Sequence, residues 1–183
     1  MSNIVIISGS PTTLSRSSAI SAFLESILIK EGNQVSTITV RNLPPEDLIY
    51  ANFNSPAIQQ AKLLVEQAEA VIIVSPVYKA SYPGVLKTFL DLLPEKGLEG
   101  KIVFPVATGG TYAHLLSLEY SFKPLLSVLG ARESVESVYM VDSQFTYSGK
   151  EITFVDSEIE QRLKSAIGQL LGRLQRKELQ EIR

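Results

Sequence analysis

NIVIISGSPTTLSRSSAISAFLESILIKEG, residues 3–32, contains a strand, a turn and a helix in succession. Ile4–Ile7 is apolar at every position, which implies a strand buried on both faces, as in a parallel sheet. Ala19, Ile20, Phe23, Leu24, Ile27 and Leu28 recur at helical spacing, and Gly32 reads as the C′ residue that stops the helix. Between them lies Ser8–Ser18, with five serines, two threonines and one arginine. A buried strand that feeds a helix through a short polar loop is the first half of a βαβ unit.

The same alternation continues outward. Val35–Val40, Ala70–Val74, Ile102–Ala107 and Val135–Val141 are short, rich in β-branched residues and bounded by turn residues. Ser55-Pro56 reads as N-cap and N1 of a second helix with the stripe Ile58, Ala61, Leu64, Val65 and Ala68. Pro83 starts a third, with Val85, Leu86, Phe89, Leu90 and Leu93 inward and Pro94 as its end. A fourth is expected from about Tyr112 to Leu129. Asp156 caps a last one, with Ile159, Leu163, Ile167, Leu170 and Leu174 facing the core, and Gly168 and Gly172 suggest close helix packing. Ser143–Val155 is expected to be an irregular hairpin or loop. The order is that of an open α/β sheet. Five strands suit the flavodoxin-like order 2-1-3-4-5, and the pattern alone also admits the six-strand Rossmann order.

Composition narrows the chemistry. At 183 residues the chain is expected to be one domain, 1–183. With Lys+Arg 17 against Asp+Glu 19, a net charge of −2 is too balanced for a general nucleic-acid or anionic-membrane binder. The absence of cysteine excludes thiolate metal sites, disulfides and Cys nucleophiles, and a single histidine excludes a His-rich metal site. No apolar run approaches the roughly 18 residues of a membrane span. The opening MSNIVIISGS lacks the pattern of a signal peptide, so the expected location is cytoplasmic.

In an open α/β sheet, ligands bind beyond the carboxyl ends of the strands. Three such ends here are suggestive loops. Ser8–Ser18 offers hydroxyls, Arg16 and the free N–H groups of a helix start, a set suited to a phosphate monoester. Neither a Walker loop nor G-x-G-x-x-G is present. Pro76–Gly84 is restricted by two prolines, and its two tyrosines supply flat faces for a planar ring. Ala107–Thr111 has paired glycines, which let backbone approach a ligand, and a helix start, which would stabilise an anion there. His114 and Asp142 lie nearby; an ordinary structural role, capping or turn in the case of Asp142, is the expectation for both.

Gly9-Ser10-Pro11 with Ser15-Arg16-Ser17-Ser18, then PVYKASYPGVLKTFLDLLP, then ATGGTYAHLLSLEYSFKPLL, resemble the NADPH-dependent FMN reductases. Within that family the resemblance, together with NLPPEDLIYANF at 42–53, is to reductases of two-component alkanesulfonate monooxygenase systems. It implies a flavodoxin-like three-layer fold, NADPH as hydride donor, and FMN that is bound as a substrate, reduced and released to a partner monooxygenase. By position, Ser10, Ser15, Arg16, Ser17 and Ser18 would hold the phosphate. Pro76, Val77, Tyr78 and Lys79 would border the ring, and Thr108, Gly109, Gly110 and Thr111 would face its pyrimidine end. Many relatives carry Arg where this chain has Thr12, which leaves Arg16 as the only cation of the loop; Lys79 stands where the wider family often has Asn. Two rivals are a quinone or azo reductase that retains its FMN, and a flavodoxin-like electron carrier. The near-neutral charge and the Gly9–Ser18 loop disfavour the carrier.

The expected fourth helix is apolar on more than one face: Leu115, Leu116, Leu118, Tyr120, Phe122, Leu125, Leu126, Val128 and Leu129. A helix of that kind is expected to pack on a second subunit as well as on the sheet, making a dimer or tetramer through 112–129. Pro124 lacks the N–H that would bond the Tyr120 carbonyl, so a kink or π-bulge is expected at Tyr120. In the resembling subgroup a Tyr at this place is associated with a π-helix at a tetramer interface, which implies a part in flavin release. No acid–base residue is expected, since hydride transfer needs orientation and stacking instead.

Overall fold

The computed structural model describes residues 1–181. The strands β1 (Asn3–Ser8), β2 (Gln34–Thr39), β3 (Ala70–Pro76), β4 (Ile102–Gly109), β5 (Glu133–Ser134) and β6 (Val138–Val141) form one parallel sheet. Its order is β2-β1-β3-β4, with β5 and β6 sharing the fifth position along the free edge of β4. This is the flavodoxin-like arrangement of order 2-1-3-4-5.

The fifth strand is broken where one strand was expected. Ile102 and Val103 pair with Glu133 and Ser134, whereas Val106 pairs with Val138, so the edge carries one extra residue. The Val103 carbonyl accepts the Val135 N–H, and residue 105, two places on, points the same way. That residue is Pro105, which has no N–H to give, and the ladder lapses there.

Alternation of side chains along the strands supplies two cores. Val5, Ile7, Val71, Ile73 and Val103 face α3 (Pro56–Gln67), α4 (Gly84–Leu90) and the segment that ends in α5 (Lys123–Val128). Ile4, Ile6, Ile72, Val74 and Phe104 face α1 (Arg16–Lys30) and α6 (Ser157–Glu181). Full burial of such side chains on both faces is what their unbroken apolar runs required.

Several local expectations change. The helix α2 (Pro45–Ile49) is an unexpected short element. Ser55 does not cap α3; its hydroxyl turns back to the Asp47 carboxylate. Pro83 is the N-cap of α4, not N1, and α4 stops at Leu90, where Leu92 and Leu93 bond back three residues in tighter turns. Gly32 does close α1, with a φ of +82°. Gly168 and Gly172 have open space where a Cβ would stand, so they mediate no close packing within the chain. Residues 145–154 form an antiparallel hairpin, β7 (Phe145–Ser148) with β8 (Glu151–Phe154). Asp156 caps α6 by accepting the Glu158 N–H at 2.9 Å.

The largest departure lies in 112–129. One helix was expected; the chain instead makes a 3-10 turn at Tyr112–His114, a π-helix at Leu118–Phe122 and then α5. The Lys123 N–H bonds the Leu118 carbonyl, a five-residue step, and Tyr120 lies at the centre of the π-helix. Pro124, which offers no N–H to the Tyr120 carbonyl, follows directly on this step. Leu118, Phe122, Leu126 and Leu129 are buried in the chain's own core, while Leu115, Leu116, Tyr120 and Val128 are exposed. The outward apolar face is therefore narrower than the stripe suggested.

Candidate functional site

The carboxyl ends of β1, β3 and β4 open into one cleft of about 260 Å³. Its wall is Ser10, Thr12, Leu14, Ser15, Arg16 and Ser17 from the first loop, Pro76, Val77 and Tyr78 from the second, and Thr108, Gly109 and Gly110 from the third. Asp142 and Tyr147 complete it. A larger hollow of about 620 Å³ lies between α1 and the β7–β8 hairpin, but it holds none of the strand-end loops and no convergent set of hydroxyls or N–H groups. The switch-point position and the polar set favour the smaller cleft.

The three loops are tied to one another. The Gly9 N–H bonds the Val74 carbonyl at 2.8 Å, and the Val77 N–H bonds the Thr108 carbonyl at 2.7 Å. Ser17 and Thr108, both buried, share a hydroxyl hydrogen bond of 3.2 Å across from α1 to β4. Gly9 packs closely on α4: a Cβ there would stand 2.8 Å from the Leu86 side chain and force it to shift.

The first loop is shaped by its own hydroxyls. Ser15 caps α1 by accepting the Ser18 N–H at 3.1 Å. Arg16 and Ser17 then stand in the first turn, where backbone N–H groups have no carbonyl within the helix to bond. Ser10 accepts the Thr12 N–H at 3.2 Å and is itself buried. The Arg16 Nε is buried and makes no aligned hydrogen bond, although it lies 3.2 Å from an Asp142 carboxylate oxygen. A buried guanidinium nitrogen without a hydrogen bond, beside free helix N–H groups and three hydroxyls, fits the phosphate of a mononucleotide.

Three expected residues stand outside the cleft wall. Ser18 is used by the cap, its hydroxyl 2.8 Å from that of Ser15, and lines the opposite side of the loop. Lys79 sits at the tip of a tight turn in which Tyr78 and Ser81 exchange hydrogen bonds; Lys79 and Ala80 both take positive φ, at 51° and 62°. Thr111 caps the 3-10 turn by accepting the Ala113 N–H. Its carbonyl takes the Tyr139 hydroxyl at 2.9 Å.

The paired glycines also divide. A Cβ at Gly109 would lie 2.1 Å from the Tyr139 hydroxyl, so Tyr139 by itself demands a glycine at this point of the cleft wall. Gly110 has open space. The element that follows is a three-residue turn, too short for the helix dipole expected there. Burial, and then the charge of Asp142, push the Tyr139 phenol above its ordinary pKa, which keeps it a donor to Thr111.

Sequence reasoning missed or underrated three residues here. Asp142, expected in a turn, opens a 3-10 turn and also lines the cleft. Tyr147 places its ring 5.7 Å from the Arg16 guanidinium. Arg41, beyond β2, donates to the Thr13 hydroxyl and gives the first loop a second neighbouring cation. Each belongs to an element that reaches the loop only through the fold. His114 is exposed and outside the cleft wall.

The family model described as NADPH-dependent FMN reductase matches residues 2–146. An FMN reductase (NADPH) of Pseudomonas putida is 44% identical over 165 residues, 90% of this chain and 84% of that protein. An FMN reductase (NADPH) of Escherichia coli is 41% identical over 177 residues, 97% and 92% of the two chains. The apo crystal structure of an NADH:FMN oxidoreductase, EmoB, superposes with a TM-score of 0.83 at 35% identity, covering 93% of this chain and 88% of that one.

Proposed function

The chain belongs to the NADPH-dependent FMN reductase family, and from that premise we propose that it takes FMN from solution into this cleft and releases it reduced. It is an oxidoreductase of FMN and NADPH. The recipient in this reading is a flavin-dependent monooxygenase, with desulfonation of alkanesulfonates for sulfur acquisition as its setting. The protein would act in the cytoplasm as one domain over 1–183. The observation that carries the reading is the cleft itself, with an anion site at Arg16 at one end and two backbone-rich loops at the other.

Arg16, Ser10, Ser15 and Ser17 hold the phosphate, supported by the first-turn N–H groups of α1. Pro76, Val77 and Tyr78 border the ring, and Thr108, Gly109 and Gly110 meet its pyrimidine edge. When bound, FMN supplies a planar ring able to accept hydride from nicotinamide. In this reading these residues hold one side of the ring and leave the other face for the nicotinamide to stack. Orientation is the contribution required of them, and no side chain needs to move a proton.

The π-helix is the proposed release element. Ser121, beside Tyr120, donates to the carbonyl of Ala80 at 3.3 Å, and Phe122 packs edge-on against Tyr82 at 5.3 Å. The irregular segment is thereby joined to the ring-bordering loop. Its exposed Leu115, Leu116, Tyr120 and Val128 are the face proposed for homo-oligomer contact, as a dimer or tetramer.

The test is NADPH oxidation by purified protein with and without added FMN. The expected result is turnover that requires free FMN, with reduced FMN recovered in an anaerobic ultrafiltrate. Turnover on a quinone without added flavin would favour the retained-FMN rival, and no turnover at all would favour a carrier.

A further inference from the structure

We propose that Asp142 is a built-in rival of the flavin phosphate for Arg16, weakening FMN binding so that the reduced product leaves. This rests on the FMN reading above and concerns the affinity of that same cleft.

Asp142 follows β6 and its carboxylate lies 3.2 Å from the Arg16 Nε, with both side chains a little over one-third exposed. It lines the same wall as Ser10, Ser15 and Ser17. Among the described residues its carboxylate accepts no hydrogen bond from its own turn. Gln144 secures that turn: its side-chain oxygen accepts the Val141 N–H at 2.7 Å. Its amide donates to Tyr112 and Asp156, and its backbone carbonyl takes the N–H groups of Val155 and Asp156. Among the described residues, Arg16 is the ion-pair partner of Asp142. The carboxylate's contribution is thus its charge in the cleft.

That charge opposes the expected ligand. A phosphate monoester brings nearly two negative charges. To use Arg16 it must share the guanidinium with Asp142 and approach a fixed like charge. The Tyr147 ring over Arg16 limits where the guanidinium can turn. A partly exposed pair of this kind is weak enough to yield, so binding is attenuated and not blocked. A cleft meant to retain FMN gains nothing from a carboxylate here; a cleft meant to exchange it does.

The experiment measures FMN, riboflavin and inorganic phosphate binding to the full chain by fluorescence or calorimetric titration, without NADPH. Asp142→Asn keeps the shape and removes the charge. FMN is expected to bind about tenfold tighter, inorganic phosphate to compete better, and riboflavin to be unchanged. Asp142→Ser should shift FMN in the same direction if the amide variant folds poorly. In an Arg16→Ala background the gain from Asp142→Asn should shrink, because the two side chains are coupled. Unchanged or weaker FMN binding in Asp142→Asn, with Arg16→Ala still weakening FMN, overturns this inference and leaves the FMN reading standing. Equal tightening of FMN and riboflavin also overturns it. If neither Arg16→Ala nor Asp142→Asn moves FMN affinity, the assignment of the phosphate to this cleft fails as well.

Discussion

The loop Gly9–Ser18 and the segment Gly110–Leu129 stand near the same cleft and are built by opposite means. In the first, the inner hydroxyls have partners: Ser10 holds Thr12, Ser15 caps the helix and Ser17 reaches Thr108. The second changes its hydrogen-bond step three times, from three residues to four to five and back to four, and leaves the buried Ser117 hydroxyl without a partner among the described residues. It also leaves apolar side chains in solvent. A loop that must place an anion-binding set benefits from being over-determined. A segment that responds to a subunit contact, as proposed for this one, is better left near a balance of arrangements. The contrast suggests that holding and releasing flavin are divided between the two.

The sharpest way to break the contrast is to compare two neighbours in the second segment. Phe122 is buried and packs on Tyr82, so Phe122→Ala should lower unfolding free energy by about 3–5 kcal/mol. Leu116 is exposed, so Leu116→Glu should leave the stability of the isolated fold within about 0.5 kcal/mol. It should nevertheless lower the oligomeric state seen by light scattering, since a buried unpaired carboxylate is costly at an interface. Leu118 and Phe122 themselves are unsuitable probes of assembly, because both belong to the core.

Deleting Tyr120 should shorten the five-residue step to four and regularise the helix. FMN should then bind about a hundredfold tighter, the equivalent of about 2.8 kcal/mol. The variant should purify yellow and turn over poorly with free FMN, while reduction of its bound flavin in one turnover persists. A folded deletion variant with unchanged FMN affinity would separate the π-helix from release.

A smaller effect sharpens the other side. Asp156 joins the cap of α6 to Gln144, and this hydrogen bond, with the Glu158 N–H, holds its carboxyl below the ordinary pKa. A depressed folded value means the stabilisation is present above the unfolded value, near 3.8, and fades as pH falls through the folded one. Asp156→Asn should therefore melt below the wild type at neutral pH, with the gap closing in acid below about pH 4. Urea titration at several pH values checks this.

Much of the frame was legible because burial on both faces leaves no polar residue to break an apolar run. Ile4–Ile7, Ala70–Val74 and Ile102–Ala107 fall inside β1, β3 and β4; β1 adds one residue at each end, and β3 and β4 add two at the carboxyl end. An irregularity at Tyr120, a kink or a π-bulge, was legible from Pro124, since a missing N–H is a local property; the choice of a π-helix came from the family resemblance. The break in the fifth strand had a signal too, but in Pro105 of the neighbouring strand, and only the register turns that residue toward the gap. The apolar count of 112–129 misled, because it does not say which residues the chain covers itself. Gly109 was read toward a ligand and does line the cleft, but its second constraint, Tyr139 thirty residues on, left no local signal. Asp142 and Tyr147 reach the cleft, and Arg41 the outer side of the first loop, only through tertiary contacts, and spacing along the chain carries no trace of that.

The central claim is that the cleft binds FMN through its phosphate at Arg16. Titration of FMN and of riboflavin against wild type and Arg16→Ala tests it most directly. Loss of a charge-assisted hydrogen bond should weaken FMN by about 1.5–3 kcal/mol and leave riboflavin, which has no phosphate, almost unchanged. Equal loss for both ligands, or none for either, would contradict the account.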